Sequence, residues 1–121
     1  MTLSKKKYRY IGIYLSECLS LNKSAILERI SERYLGLFGS IDYSKANIRI
    51  IKINNIPNTI VILKCRLESL TNTLISLSLI DLELMVVSIS GTLKQLKKKI
   101  LIFLSYVSEN QEGLTSNFRD S

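Results

Sequence analysis

The chain has 121 residues, 46% of them hydrophobic, with a formal net charge of +7 and no histidine. That length and apolar content suit one domain around one modest core rather than a disordered chain. The absence of histidine excludes a His-dependent triad, two-histidine ribonuclease chemistry and His-ligated zinc, and the basic balance favours a polyanionic partner, either nucleic acid or an anionic membrane.

The opening "MTLSKKKYRY" carries charge with no apolar stretch behind it, so it does not read as a signal peptide. The longest apolar runs, such as "ILIFL", are far too short to span a bilayer, and a soluble, cytoplasmic protein is expected. "YRYIGIYLS" (8–16) alternates, with Ile11, Ile13 and Leu15 on one face and Tyr8, Tyr10, Gly12 and Tyr14 on the other, which predicts a first strand. "NKSAILERISERYLGLFG" (22–39) places Ile26, Ile30, Tyr34, Leu37 and Phe38 three and four residues apart, the pattern of an amphipathic helix. Asn22 or Ser24 would cap that helix and Gly39 would stop it in the left-handed region.

"ANIRIIKINN" (46–55) and "TIVILKCRL" (59–67) predict two strands joined at "NIPN", which holds the only proline. "ESLTNTLISLSLI" (68–80) is a second helix with Leu70, Leu74, Leu77 and Ile80 as its stripe, weakened by Ser, Thr and Asn. "LMVVSIS" (84–90) is a fourth strand. "TLKQLKKKILIFLSYV" (92–107) is a third helix, with Thr92 and Gln95 spaced as a capping box.

The order β-α-β-β-α-β-α predicts an α+β fold: a ferredoxin-like, RNA-recognition-motif-like sandwich. It has a four-stranded antiparallel sheet, two helices on one face, and a C-terminal helix added. Residues 1–107 form one domain and 108–121 a polar, flexible tail.

No catalytic constellation stands out. The carboxylates are scattered, and Asp81 and Glu83 read as a solvated turn. No metal site is expected: Cys18 and Cys65 fit no zinc spacing and read as buried thiols, with a disulfide between them as the other reading.

The basic residues cluster twice, as Lys5, Lys6, Lys7 and Arg9, and as Lys94, Lys97, Lys98 and Lys99. Lys94, Lys97 and Lys98 share one side of a helix whose N-terminal amides favour anions. Ser90 and Thr92 add hydroxyls there, and Gly91 permits close approach. Alone, this segment reads rather as a capped corner with a solvated lysine face than as a phosphate seat.

The tyrosine face of the sheet, beside Lys64 and Arg66, would make a base-stacking platform if open. The third helix is apolar over much of its circumference. That favours its covering this face, or docking on another chain, over an open stacking surface.

Several segments in order, "RYIGIYL", "LFG", "KANIRIIK", "LKCR" and above all "SGTLKQLKKKIL", resemble ribonuclease P protein component 2, a small subunit of ribonuclease P and ribonuclease MRP particles of archaeal and eukaryotic type. The resemblance spans roughly residues 8–104 and departs from the family at "NIPNTIVILKCR" and at the very short "DLE" loop. It implies a non-catalytic chain that supports a magnesium-dependent catalytic RNA in removing the 5′ leader of precursor tRNA. The chain would itself bind no cofactor and would meet precursor tRNA only indirectly. The resemblance further implies a TIM-barrel partner, ribonuclease P component 3, and a homodimer within a two-plus-two assembly, with no membrane.

The residues named for RNA contact are Lys5, Lys6, Lys7, Arg9, Ser90, Thr92, Lys94, Lys97, Lys98 and Lys99. The alternative is a ferredoxin-like protein-interaction module without specific RNA binding. A small-molecule sensor of the same fold would need a Gly/Asp/Asn-rich loop where the chain has "SECLSLNKS".

Overall fold

The computed structural model describes residues 7–16 and 23–120, with 109–120 described by backbone alone. The elements are β1 (Tyr8–Leu15), α1 (Lys23–Ala46), β2 (Arg49–Ile51), β3 (Ile60–Arg66), a 3₁₀ turn (Leu67–Ser69), α2 (Leu70–Ser78), β4 (Leu84–Ser90) and α3 (Leu93–Asp120). The sheet runs β2-β3-β1-β4 with every neighbour antiparallel, the expected ferredoxin-like order.

Alternation sorts the side chains into two layers. Ile11, Ile13 and Leu15 of β1 and Val61, Leu63 and Cys65 of β3 face α1 and α2, where Ile26, Ile30, Tyr34 and Leu77 close the main core. Each fully buried aliphatic group there stabilises the fold by about 1.5–3 kcal/mol. Strand β4 does not alternate cleanly, and the register shows why. Gly12 pairs with Ser88 but Ile13 pairs with Val86, so Val87 is an extra, bulged residue. The bulge resets the phase so that Leu84, Val86 and Ile89 all pack against the same core.

The opposite face carries Tyr10, Tyr14, Ile60 and Ile62, and α3 lies across it. Leu96 and Ile100 are fully buried against this face, and Leu93 and Leu104 pack beside them. Phe103 meets Tyr14 edge-on, with centroids 5.5 Å apart. Gly12 permits this approach: a Cβ there would lie 3.1 Å from Ile100 Cδ1 and 3.4 Å from Leu96 Cδ1. The sheet is therefore covered on both faces. Tyr10 and Tyr14 are packing residues, and the open stacking platform is ruled out for them. Tyr8 lies beyond the helix, with the Lys64 ammonium 4.3 Å from its ring centroid.

Three expected boundaries shift. The strand expected over 46–55 pairs only at Arg49–Ile51. Asn47 before it and Asn55 after it take positive φ (49° and 68°), and between them Ile51 and Ile53, with Ile56 beyond, pack against the cluster around Ile60 and Ile62. The first helix does not stop at Gly39. Gly39 adopts φ 87°, ψ 169°, a glycine-only conformation outside the left-handed helical region, and helix resumes at once.

The resumed segment is tied back to the first. Tyr34 Oη donates to Asp42 Oδ1 at 2.6 Å, and Ser31 and Tyr43 hydroxyls meet at 2.7 Å. Asn72 of α2 also donates to Asp42 Oδ2 at 3.4 Å. Burial, and then the hydrogen bond to Asp42, hold the Tyr34 phenol above its ordinary pKa. Helix α3 continues past 107 to Asp120. Ser24 falls inside the first turn of α1, while Asn22 and Cys18 lie outside the described residues.

Candidate nucleic-acid interface

Lys7 and Arg9 are far from the helix lysines in sequence, and strand pairing brings the start of β1, where they lie, to the end of the sheet where α3 begins. Tyr10 pairs with Ser90, so the beginning of β1 lies beside the end of β4, where α3 starts. The same end collects further cations through the register. Tyr8 pairs with Arg66, Tyr10 with Lys64, and Lys64 with Arg49. Sequence reading put Lys64 and Arg66 beside the tyrosines but did not place Arg49. Its position follows only from the β2–β3 register, which a three-residue strand does not announce.

The corner itself is well formed. Thr92 Oγ1 accepts the Gln95 N–H at 3.2 Å, and Thr92 O accepts the Leu96 N–H at 3.1 Å, as expected of a helix cap. Ser90 is buried, and its hydroxyl has no hydrogen-bond partner among the described residues. It pairs with Tyr10 on the α3 side of the sheet, whereas Arg9 belongs to the opposite face by alternation. The Arg9 guanidinium donates to Tyr8 O at 2.8 Å, and its Nη1 lies 3.5 Å from where a Cβ on Gly91 would sit. Arg9 and Ser90 therefore do not converge on one point, and the Ser90 hydroxyl is closed off from solvent.

The four helix lysines spread around α3 rather than forming one patch. At about 100° per residue, Lys94, Lys97 and Lys98 fall on the outward side and one flank, and Lys99 on the other flank. Lys99 reaches the edge of β4, where its Nζ donates to Ile89 O at 3.2 Å. Lys94, Lys98 and Lys99 are exposed and Lys97 is half-buried. Lys7 is exposed just before β1, and its carbonyl accepts the Leu67 N–H at 2.8 Å. Lys5 and Lys6 lie outside the described residues.

Among the described residues the ion pair found is Arg66–Glu68, at 3.2 Å. Among the described residues no carboxylate pairs with the lysines of α3, and the helix terminus they flank is itself positive.

Elsewhere the surface offers less chemistry. Asp81 and Glu83 are both exposed. A groove of about 1050 Å³ runs along β2 at the other end of the sheet, its lining divided between isoleucines and polar side chains that include Lys23, Glu28 and Lys52. Among the described residues there is no group of three side chains suited to hold a metal ion, and no helix long and apolar enough to cross a membrane. Cys65 is a free, buried thiol whose pKa is pushed up by burial.

Residues 7–101 match the model of the Rpp14/Pop5 family, a span that runs from the first strand into the third helix. A comparison with curated proteins finds no match.

Proposed function

The chain belongs to the Rpp14/Pop5 family of small ribonuclease P protein subunits, and we propose that within that particle it binds and stabilises the catalytic RNA. Lys94, Lys97, Lys98 and Lys99, with Arg9 and the basic arm of Lys5, Lys6 and Lys7, would neutralise phosphates. That reduces the repulsion opposing the folded RNA core and lowers the RNA's magnesium requirement for removal of the 5′ leader from precursor tRNA. Magnesium in this scheme belongs to the RNA. The protein would act beside a TIM-barrel partner subunit in a cytoplasmic particle.

The single observation that carries this reading is that the Tyr10–Ser90 pairing sets Lys7 and Arg9, at the start of β1, at the same end of the sheet as the first turn of α3. Thr92 serves in it as the helix cap and Ser90 as part of the packed corner; neither is needed as a phosphate ligand.

The experiment changes all four helix lysines to Glu and measures cleavage by the reconstituted particle across magnesium concentrations. The proposal predicts a loss that deepens as magnesium becomes limiting. Unchanged activity at limiting magnesium would remove these lysines from the interface. A protein-interaction module without specific RNA binding is the competing reading, favoured by apolar side chains left exposed on α3. It predicts RNA affinity at near-physiological salt no greater than that of any basic protein of the same charge.

A further inference from the structure

Strand β1 sets three tyrosines on the α3 side of the sheet, and only two are used in packing. Tyr10 and Tyr14 join the layer beneath the helix. Tyr8 belongs to neither core and is half-buried at the start of the strand. Charge surrounds its ring. The Lys64 ammonium stands 4.3 Å from the Tyr8 centroid and 5.9 Å from that of Tyr10. Arg66 is the cross-strand partner of Tyr8, and Arg49 that of Lys64. Directly paired residues share a face, so one tyrosine and three cations occupy one corner of the α3 side. The helix leaves this corner uncovered. It begins at Leu93, past Ser90, and runs over Gly12 toward Tyr14, away from Tyr8. Arg66 shares its charge with Glu68 at 3.2 Å. Arg49 is exposed and held through its Nε by Asn47 Oδ1 at 3.0 Å. Among the described residues neither Arg49 nor Lys64 pairs with a carboxylate.

We propose that the Tyr8 ring stacks an unpaired base of the ribonuclease P RNA, with Lys64 and Arg49 taking the phosphates that flank it. The inference rests on the reading of the chain as a subunit that binds this RNA. The corner selects its occupant by chemistry. Lys64 takes one face of the ring, and the base would take the other. Every base has a π face, and an aromatic ring framed by cations matches a nucleotide with its two phosphates. A phosphate contact alone makes no use of the ring. A base inside a duplex is already stacked on both sides, so the nucleotide belongs to a loop, a bulge or a strand end.

The test compares Tyr8→Phe and Tyr8→Leu with the wild-type chain, each assembled with its partner subunit, in binding to the ribonuclease P RNA. Stacking needs an aromatic face and no hydroxyl. Tyr8→Phe should therefore hold affinity within about twofold, whereas Tyr8→Leu should lower it about tenfold. Neither should change the slope of log affinity against log salt, since stacking releases no counterions. Equal affinity of Tyr8→Leu, an equal loss in both variants, or a changed slope overturns the proposal. Acylation of RNA 2′-hydroxyls supplies a readout that a loss of protein stability would not mimic. One unpaired nucleotide should be constrained by wild type and by Tyr8→Phe and released by Tyr8→Leu, with the rest of the footprint retained. No such nucleotide, or one within a helical stem, overturns the proposal. If the wild-type assembly binds this RNA no better than any basic protein of the same charge, the RNA-binding reading falls and this one with it. If it binds and Tyr8→Leu binds equally, the stacking site alone falls.

Discussion

The contact between Gly12 and Ile100 can be tested by exchanging bulk across it. A Cβ at position 12 would sit 3.1 Å and 3.2 Å from Ile100 Cδ1 and Cγ1, closer than side-chain carbons normally approach. Gly12→Val therefore overpacks the layer beneath α3, at about 1–3 kcal/mol. Relieving the backbone entropy of a strand glycine offsets about 0.5–1 kcal/mol of that, leaving a net cost of about 0–2.5 kcal/mol. Ile100→Ala empties a fully buried site and should cost about 2–5 kcal/mol. In the double variant the valine methyls enter the space that Ile100 vacates. Its cost should then fall short of the sum by more than about 1 kcal/mol, the size expected of directly touching residues. Urea unfolding of the four proteins, with m values compared, measures this coupling. Additivity within about 0.5 kcal/mol would mean that α3 does not rest on β1 at this point, and the argument for a covered tyrosine face would fail with it.

Three further outcomes follow from single groups. Tyr34→Phe removes the 2.6 Å bond to Asp42 and should cost about 1.5–3 kcal/mol in thermal or urea unfolding. Because the folded phenol has a raised pKa, its contribution is complete below the unfolded value of about 10. It is lost as pH rises through the higher folded value, so the gap between wild type and variant should narrow above about pH 10; a gap that widens there contradicts the assignment. Ser90→Ala deletes a buried hydroxyl with no partner among the described residues and should leave stability equal or raise it by about 1 kcal/mol; a loss of that size would contradict this reading of the corner. In a Cys18→Ser background, Cys65 should react with a thiol reagent only as fast as the protein opens, since burial raises its pKa. Rapid labelling under native conditions would contradict its burial.

Much of this architecture was legible because its signals are local. Strand β1 alternates cleanly, and its two faces became the two cores. The surplus apolar surface of the third helix pointed correctly to a second buried layer, since Leu96 and Ile100 share its stripe. What escaped was set by tertiary contact. The bulge at Val87 is visible only through the β1 register. The helix after Gly39 persists because Asp42 and Tyr43 find partners on the preceding turns. The shortness of β2, which pairs only at Arg49–Ile51, is visible only through the β3 register. For the candidate interface, charge density identified the two lysine clusters, but that the start of β1, with Lys7 and Arg9, lies at the same end of the sheet as the start of α3 required strand order. Nothing in the residue types distinguished Ser90, which is buried, from Thr92, which is exposed.

The most direct test of RNA binding through α3 is the salt dependence of affinity for the ribonuclease P RNA. The wild-type chain, together with its partner subunit, should lose affinity steeply as salt rises. Changing Lys94, Lys97, Lys98 and Lys99 to Ala should lower the slope of log affinity against log salt by roughly three, from about 0.7–0.9 per phosphate contact removed. A slope unchanged by the four substitutions would contradict the account, because those lysines would then release no counterions and touch no phosphate.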